Sequence, residues 1–286
     1  MKTKPWRERF AEFWFAEEKQ ANLIAGRMLL AATGLWMVLS RPDLPGVAGL
    51  PPEMWELVSF ARRVRFGYVL PVEVEWVLFA LLHIALLGAL VGVYQRTTCI
   101  ISGILLIHFA PLETILWTPN PYLRGFTIPG LGLLAFGFAG SQETRRWPLL
   151  LTQVFFAQIY FFAGYAKLFQ SGLAWMEPSN IRRYLLFLNQ FLGFDGSAIG
   201  YVLAASPIVC GFMAWAGLLF DLAFPIVLFK PATRYVMLPL ALFFHIANAV
   251  VFHVMFQNTV LLLLFVNWDG IAARIRLLAG RPVEAT

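Results

Sequence analysis

The chain has 286 residues, 59% of them hydrophobic and only 13% charged, with a formal net charge of +6 and a mean hydropathy of +0.70. An ordinary soluble domain carries about 25% charged residues, so a soluble fold is excluded, and no basic stripe points to nucleic acid. Repeated apolar runs of about 20 residues satisfy their backbone in lipid only as helices. The predicted fold class is therefore all-α: a polytopic integral membrane bundle of about seven or eight transmembrane helices with interfacial helices beside them.

Residues 1–21 read as an interfacial amphipathic segment (WRERFAEFWFAEEK), charged and aromatic, unlike a cleavable signal peptide. A first span follows from about Asn22 to Leu39. A proline-rich loop then leads to a second interfacial segment, Glu53 to Tyr68, with Arg62, Arg63 and Arg65. Further spans are expected over about Val72–Val93, Thr98–Leu116, a short Thr127–Ala139, and Pro148–Phe169. A polar segment, Gln170–Gly200, precedes a long run over Tyr201–Phe229, where Pro207 and Pro225 predict a kink. The last spans are Tyr235–Phe256 and a short run at Thr259–Trp268. Residues 22–270 thus form one transmembrane domain, followed by a short basic tail, 271–286. Lysine and arginine outside the spans divide thirteen to seven in favour of the side carrying the N-terminus. The positive-inside rule then predicts a multi-pass protein in the bilayer with a cytoplasmic N-terminus.

Polar side chains inside spans are functional candidates by default, because lipid makes them costly. Lys167 stands near the end of LLLTQVFFAQIYFFAGYAKL, where it can snorkel to the headgroups or, when desolvated, act as a base. Gln153, Tyr160 and Lys167 recur every seven residues, which places all three on one helix face, and Ala163 and Gly164 allow another helix close to it. Asp221, in GLLFDLAFP, is open to two readings: a structural pair with Arg27 or Arg234, or an acid in a site. His245 and Asn248 share a face, as an interhelical pair or a ligand contact. His83 and His108 read as interior histidines, and Cys99 and Cys210 as small buried hydrophobes. No histidine–carboxylate set has zinc-binding spacing, so no metal is predicted. Neither a phosphate loop nor a GxSxG elbow is present. An aromatic share of 16% suits an interior that receives a flat quinol or an isoprenoid tail.

The stretch YFFAGYAKL, followed by GLAWMEPSNIRRYL with Trp175 and Glu177, resembles the transmembrane core of the vitamin K-dependent γ-glutamyl carboxylases and of their bacterial relatives, the HTTM-domain proteins. LLFDLAFPIVLF, Arg234, FFHIANAVVF, ANLIAGRMLL, LLGALVGVYQRTTCIIS and WTPNPYLRG extend the similarity over about Asn22–Trp268. The resemblance implies that Lys167 falls on the family's catalytic base. That lysine deprotonates reduced vitamin K (the hydroquinone), whose reaction with O2 yields a strong base that removes a glutamate γ-proton before CO2 is captured. Asp221 would be the second catalytic residue. Trp117, Asn120, Tyr122, Tyr160, Trp175, Glu177, Arg234, His245 and Asn248 would shape the substrate pocket. Asn120 stands where the carboxylases carry a histidine, and an amide cannot shuttle protons as an imidazole does. The carboxylation half of the reaction is therefore the less expected half. No large non-cytoplasmic domain follows the core, so a peptide or protein substrate would come with a separate partner.

Three functions compete on these residues. The first is a lysine-base enzyme acting on a lipid-soluble hydroquinone, by epoxidation with or without carboxylation. The second is a membrane terpene cyclase, a lyase acting on an isoprenoid with Asp221 as its acid. The third is a non-catalytic membrane scaffold or maturation partner in which Lys167 snorkels.

Overall fold

A computed structural model describes residues 4–51, 70–114, 125–191, 198–252 and 256–279. Helix dominates throughout, and no strand occurs among the described residues. In chain order the helices are α1 (Trp6–Phe15), α2 (Gln20–Leu39), α3 (Val72–Val91), α4 (Gln95–Thr114), α5 (Thr127–Ala139) and α6 (Trp147–Ser171). They continue as α7 (Pro178–Phe191), α8 (Ala198–Ala204), α9 (Pro207–Ala223), α10 (Ile226–Phe229), α11 (Arg234–Phe252) and α12 (Trp268–Leu278). Among the described residues five stretches are long and apolar enough to cross a membrane: Gln20–Leu39, Val72–Val91, Trp147–Met176, Pro207–Phe229 and Pro231–Phe252. The shorter apolar α5 and the more polar α4, expected as spans, fall outside that set.

The long run expected over Tyr201–Phe229 is divided into α8, α9 and α10. Pro207 opens α9, with the Ser206 hydroxyl accepting the Val209 N–H at 3.4 Å as its N-cap. Pro225 starts α10, because a proline cannot donate the next hydrogen bond. The interfacial segment Glu53–Tyr68 lies outside the described residues.

The chain divides into two compact units, Met1–Thr152 with Val266–Thr286, and Gln153–Phe265. In the first unit, α4 and α5 approach on glycines. A Cβ on Gly103 would stand 2.7 Å from the Gly130 carbonyl oxygen, and one on Gly137 would stand 2.6 Å from the Ile100 side chain. Such contact lets dispersion act between backbones in a medium with no hydrophobic force between helices. Arg27 is buried on α2, where its Nη1 donates to the carbonyls of Ala89 and Leu90 at the end of α3. The carbonyl ends of a helix carry partial negative charge, so a cation is favoured there. Gly92, at φ +85°, terminates α3 in the left-handed region, and a Cβ there would also stand 3.2 Å from the Arg27 Nη2. Cys99 and Cys210 are both buried free thiols, as the sequence suggests.

The loop before α6 is organised by Glu143. Its carboxylate accepts the backbone N–H groups of Thr144 and Arg145 at 3.1 and 3.0 Å and the Trp147 indole N–H at 2.8 Å. Burial pushes this carboxyl up, but the hydrogen bonds from Trp147 and the backbone outweigh it and hold the group below the usual carboxylate range.

Two measurements check this account. Gly103→Ala forces α4 and α5 apart and should cost about 1–3 kcal/mol of stability, read as a lower Tm. Gly46→Ala, where a Cβ would meet nothing within 4 Å, should leave Tm unchanged. Because the folded-state pKa of Glu143 lies below the unfolded value, its contribution is complete above the ordinary carboxylate pKa of about 4.3. It is lost as pH falls through the depressed value, so Glu143→Gln should flatten the acid limb of a stability–pH profile.

Candidate functional site

The second unit is built around the polar face of α6. Gln153 and Tyr160 are buried and Lys167 is partly buried, and each meets a different element. Gln153 Nε2 donates to the Leu264 carbonyl at 2.7 Å. The Tyr160 hydroxyl and His245 Nε2, on α11, lie 2.6 Å apart. Lys167 Nζ donates to Asp221 Oδ2, on α9, at 2.6 Å. The seven-residue spacing therefore places three polar groups on one face, as the sequence implies.

The Lys167–Asp221 pair depends on a close helix crossing. A Cβ added at Gly164 would stand 3.0 Å from Asp221 Cβ and from Leu222. The Asp221 side chain is only 3% exposed and that of Lys167 23%. The ammonium also lies 5.5 Å from the centre of the Trp175 ring, a cation–π contact that a partly desolvated site strengthens. Trp175 packs in turn on Tyr184 of α7, with ring centres 5.9 Å apart.

Aromatic rings surround the deeper pair. Tyr160 lies 4.1 Å from Phe224 and 5.5 Å from Phe220, measured between ring centres. His245 lies 5.7 Å from Phe244 and 5.1 Å from Phe256. His245 Nδ1 is buried without a hydrogen-bond partner among the described residues.

A profile of the HTTM domain matches residues 15–269, most of the chain. The chain belongs to the HTTM domain family. This domain is found in vitamin K-dependent γ-carboxylase-like proteins. No solved structure matches the chain.

Within the HTTM domain the expected site residues divide. Lys167, Asp221, Trp175, Tyr160 and His245 form two linked pairs with their aromatic neighbours. Asn248, three residues after His245, turns its Nδ2 to the Phe244 carbonyl at 2.7 Å. Glu177 is exposed, and its carboxylate meets Ser179 at 3.5 Å. Arg234 donates to the carbonyls of Val227 at 3.1 Å and Phe265 at 3.4 Å. The structural pairing of Asp221 with Arg27 or Arg234 is thereby corrected. Both arginines neutralise backbone carbonyls at helix and turn ends, and the carboxylate meets Lys167 instead. Trp117, Asn120 and Tyr122 lie outside the described residues.

One pair escaped the sequence reading. In the first unit, the fully buried Glu75 of α3 accepts the Leu70 N–H at 3.1 Å, and its Oε2 lies 2.9 Å from His108 Nε2 on α4. Its signal is the acid inside VEVEWVLF, facing a histidine on the next helix. His83 Nδ1 stands 2.8 Å from the Phe79 carbonyl one turn earlier, as an interior histidine does.

Breaking a buried ion pair by removing one partner strands the other charge. Lys167→Met should therefore cost about 3 kcal/mol, and Asp221→Leu a similar amount. The double variant should recover much of the loss, because a well-packed apolar pair replaces buried ions at little cost. A thermal double-mutant cycle in detergent reads the coupling, and additive losses would show that the pair carries no interaction energy.

Proposed function

We propose that this HTTM-domain protein is a membrane enzyme acting on a lipid-soluble substrate, with Lys167 and Asp221 as its proton-handling dyad. The observation that carries the reading is the 2.6 Å contact between a partly buried ammonium and a buried carboxylate, on the same helix face as Tyr160 and beside its ring of phenylalanines. A dyad of this kind moves a proton over one short hydrogen bond. With the proton on Asp221, Lys167 is a neutral amine able to take a proton from an acidic hydroxyl. The ammonium that forms then pairs with the substrate oxyanion it has just created, with the carboxyl oxygen of protonated Asp221 on one side and the Trp175 face on the other. An arginine could keep the ion pair but not the chemistry, because it stays protonated.

The surroundings fit a flat ring bearing a polar oxygen. Phe220, Phe224, Phe244 and Phe256 supply apolar faces around Tyr160 and His245. The His245 Nδ1, without a protein partner among the described residues, is a nitrogen that a ligand oxygen can satisfy. A reduced quinone of the vitamin K type, when bound, supplies an acidic aromatic hydroxyl and the electrons that activate O2. Tyr160 and His245 would orient that ring, and Lys167 would accept its proton. Carboxylation with CO2 on a separate peptide partner is the further step that the family likeness suggests.

The aromatic rings support a second reading, a terpene cyclase. There Asp221, holding the shared proton, would protonate an isoprenoid alkene, and the faces of Phe220, Phe224 and Tyr160 would stabilise the cation.

Nanodisc-reconstituted protein separates the readings. With added vitamin K hydroquinone and O2, the wild type should form epoxide, detected by mass spectrometry. Lys167→Ala and Lys167→Arg should both lose about a hundredfold or more in rate. A cyclised isoprenoid product, abolished by Asp221→Asn and tolerant of Lys167→Ala, moves the assignment to the cyclase. Neither product from the wild type, with the Lys167→Met/Asp221→Leu double variant retaining phenotype, sinks the enzyme and leaves the scaffold.

A further inference from the structure

Two helices of the first unit, α1 and α12, share one design. Successive residues of a helix turn by about 100°, so Trp6, Phe10, Phe13 and Trp14 of α1 form one apolar stripe, with Arg9 at one edge and Arg7 at the other. Glu8 and Glu12 fall on the opposite face, where Glu12 is held by Lys4 at 2.9 Å. In α12 the stripe is Trp268, Ile271, Ile275 and Leu278, with Arg274 at one edge and Arg276 at the other. The two helices bury no residue fully. Trp6 is 67% exposed, Ile275 60% and Leu278 89%, and all four arginines are exposed.

Both helices are fastened to the same end of α2. The chain just before α2 pairs with the loop before α6: Glu18 N–H donates to the Thr144 carbonyl at 2.8 Å and Arg146 N–H to the Ala16 carbonyl at 2.9 Å. The Arg146 guanidinium lies 5.5 Å from the Phe13 ring centre. From the other terminus, the Asp269 N–H donates to Asn22 Oδ1, one turn into α2, at 3.1 Å. Two apolar stripes edged by arginine, exposed at Trp6, Phe10, Ile271, Ile275 and Leu278 and half-buried at Phe13, Trp14 and Trp268, therefore sit where α2, an apolar helix of spanning length, begins.

We propose that α1 and α12 together form a binding surface for anionic phospholipid headgroups, with their apolar stripes seated at the acyl boundary and Arg7, Arg9, Arg274 and Arg276 on the phosphates. The charge pattern selects this occupant. An apolar stripe alone would enter any bilayer, but arginines at both edges, with the acids of α1 turned away, favour negative lipid over zwitterionic lipid. The surface is independent of the Lys167–Asp221 chemistry.

The test uses the full purified chain in neutral detergent, titrated with phosphatidylglycerol or with phosphatidylcholine and read by native mass spectrometry. Wild type should retain phosphatidylglycerol at much lower lipid concentration. Arg7→Gln/Arg9→Gln and Arg274→Gln/Arg276→Gln should each weaken that preference by about fivefold per arginine. Equal retention of the two lipids, or a preference unchanged in both double variants, overturns the proposal. So does inorganic phosphate competing as well as the lipid, or a second protein chain bound through these helices in place of lipid. If the variants do not fold, wild type still decides: the preference should shrink as salt is raised, and indifference to salt refutes it.

Discussion

Three polar side chains on one face of α6 impose the constraint on which the second unit depends. A polar group left unpaired in an apolar medium costs several kcal/mol, and a span has no bulk water to relieve it. Gln153, Tyr160 and Lys167 must each find a partner, and they find them on three separate stretches of chain: the 3-10 helix Gln257–Phe265 at Leu264, α11 at His245 and α9 at Asp221. Dispersion alone would let neighbouring helices slide along α6. Three directional bonds spaced about 10 Å apart along its axis set their register. The phenylalanines then pack around bonds whose positions are already determined.

The first unit meets the same demand with different residues. Arg27 is a buried cation with no carboxylate partner among the described residues, and its Nη1 donates to the carbonyls that end α3. Glu75 is a buried carboxyl, and it gathers a backbone N–H and an imidazole. Each charge ties two elements that are distant in sequence, much as a polar residue at a helix interface does in lipid. Glycine does the remaining work at the α4–α5 crossing, where backbone nearly touches backbone.

Much of this was legible in the sequence because it is periodic. The apolar runs place the spans, the interval of seven places Gln153, Tyr160 and Lys167 on one face, and the prolines at 207 and 225 mark breaks. Gly164 signals a close crossing, and the structure puts Asp221 at that crossing. Partner choice was not legible, since periodicity fixes a face but not what the face meets. Asp221 had three cations to choose from, and only the fold decides that Arg27 and Arg234 are occupied by carbonyls. Glu75 was missed for a related reason. A carboxylate near the start of a helix reads as an exposed first-turn acid, favourable to the dipole, and nothing local announces that His108 will cover it. The amphipathic α12 was hidden by its length: eleven residues of mixed polarity read as a basic tail until the helix shows its arginines on two edges of one stripe.

The proposed role of the Lys167–Asp221 pair rests on more than helix packing. Two apolar side chains of similar volume would hold α6 and α9 together at least as well, because desolvating two ions consumes most of what their attraction returns. The ammonium is 23% exposed under an indole while its carboxylate is sealed, as in a lysine that snorkels from a helix end and equally in an open proton acceptor. That asymmetry is what a proton-transfer dyad requires. One member is open enough to meet an incoming hydroxyl, and the other is sheltered so that its charge acts on its partner instead of on water. Tyr160 lies two turns along the same face, about 10 Å away along the axis. Register, asymmetry and the aromatic surround are thus three aspects of one arrangement, and the proposed chemistry rests on all three.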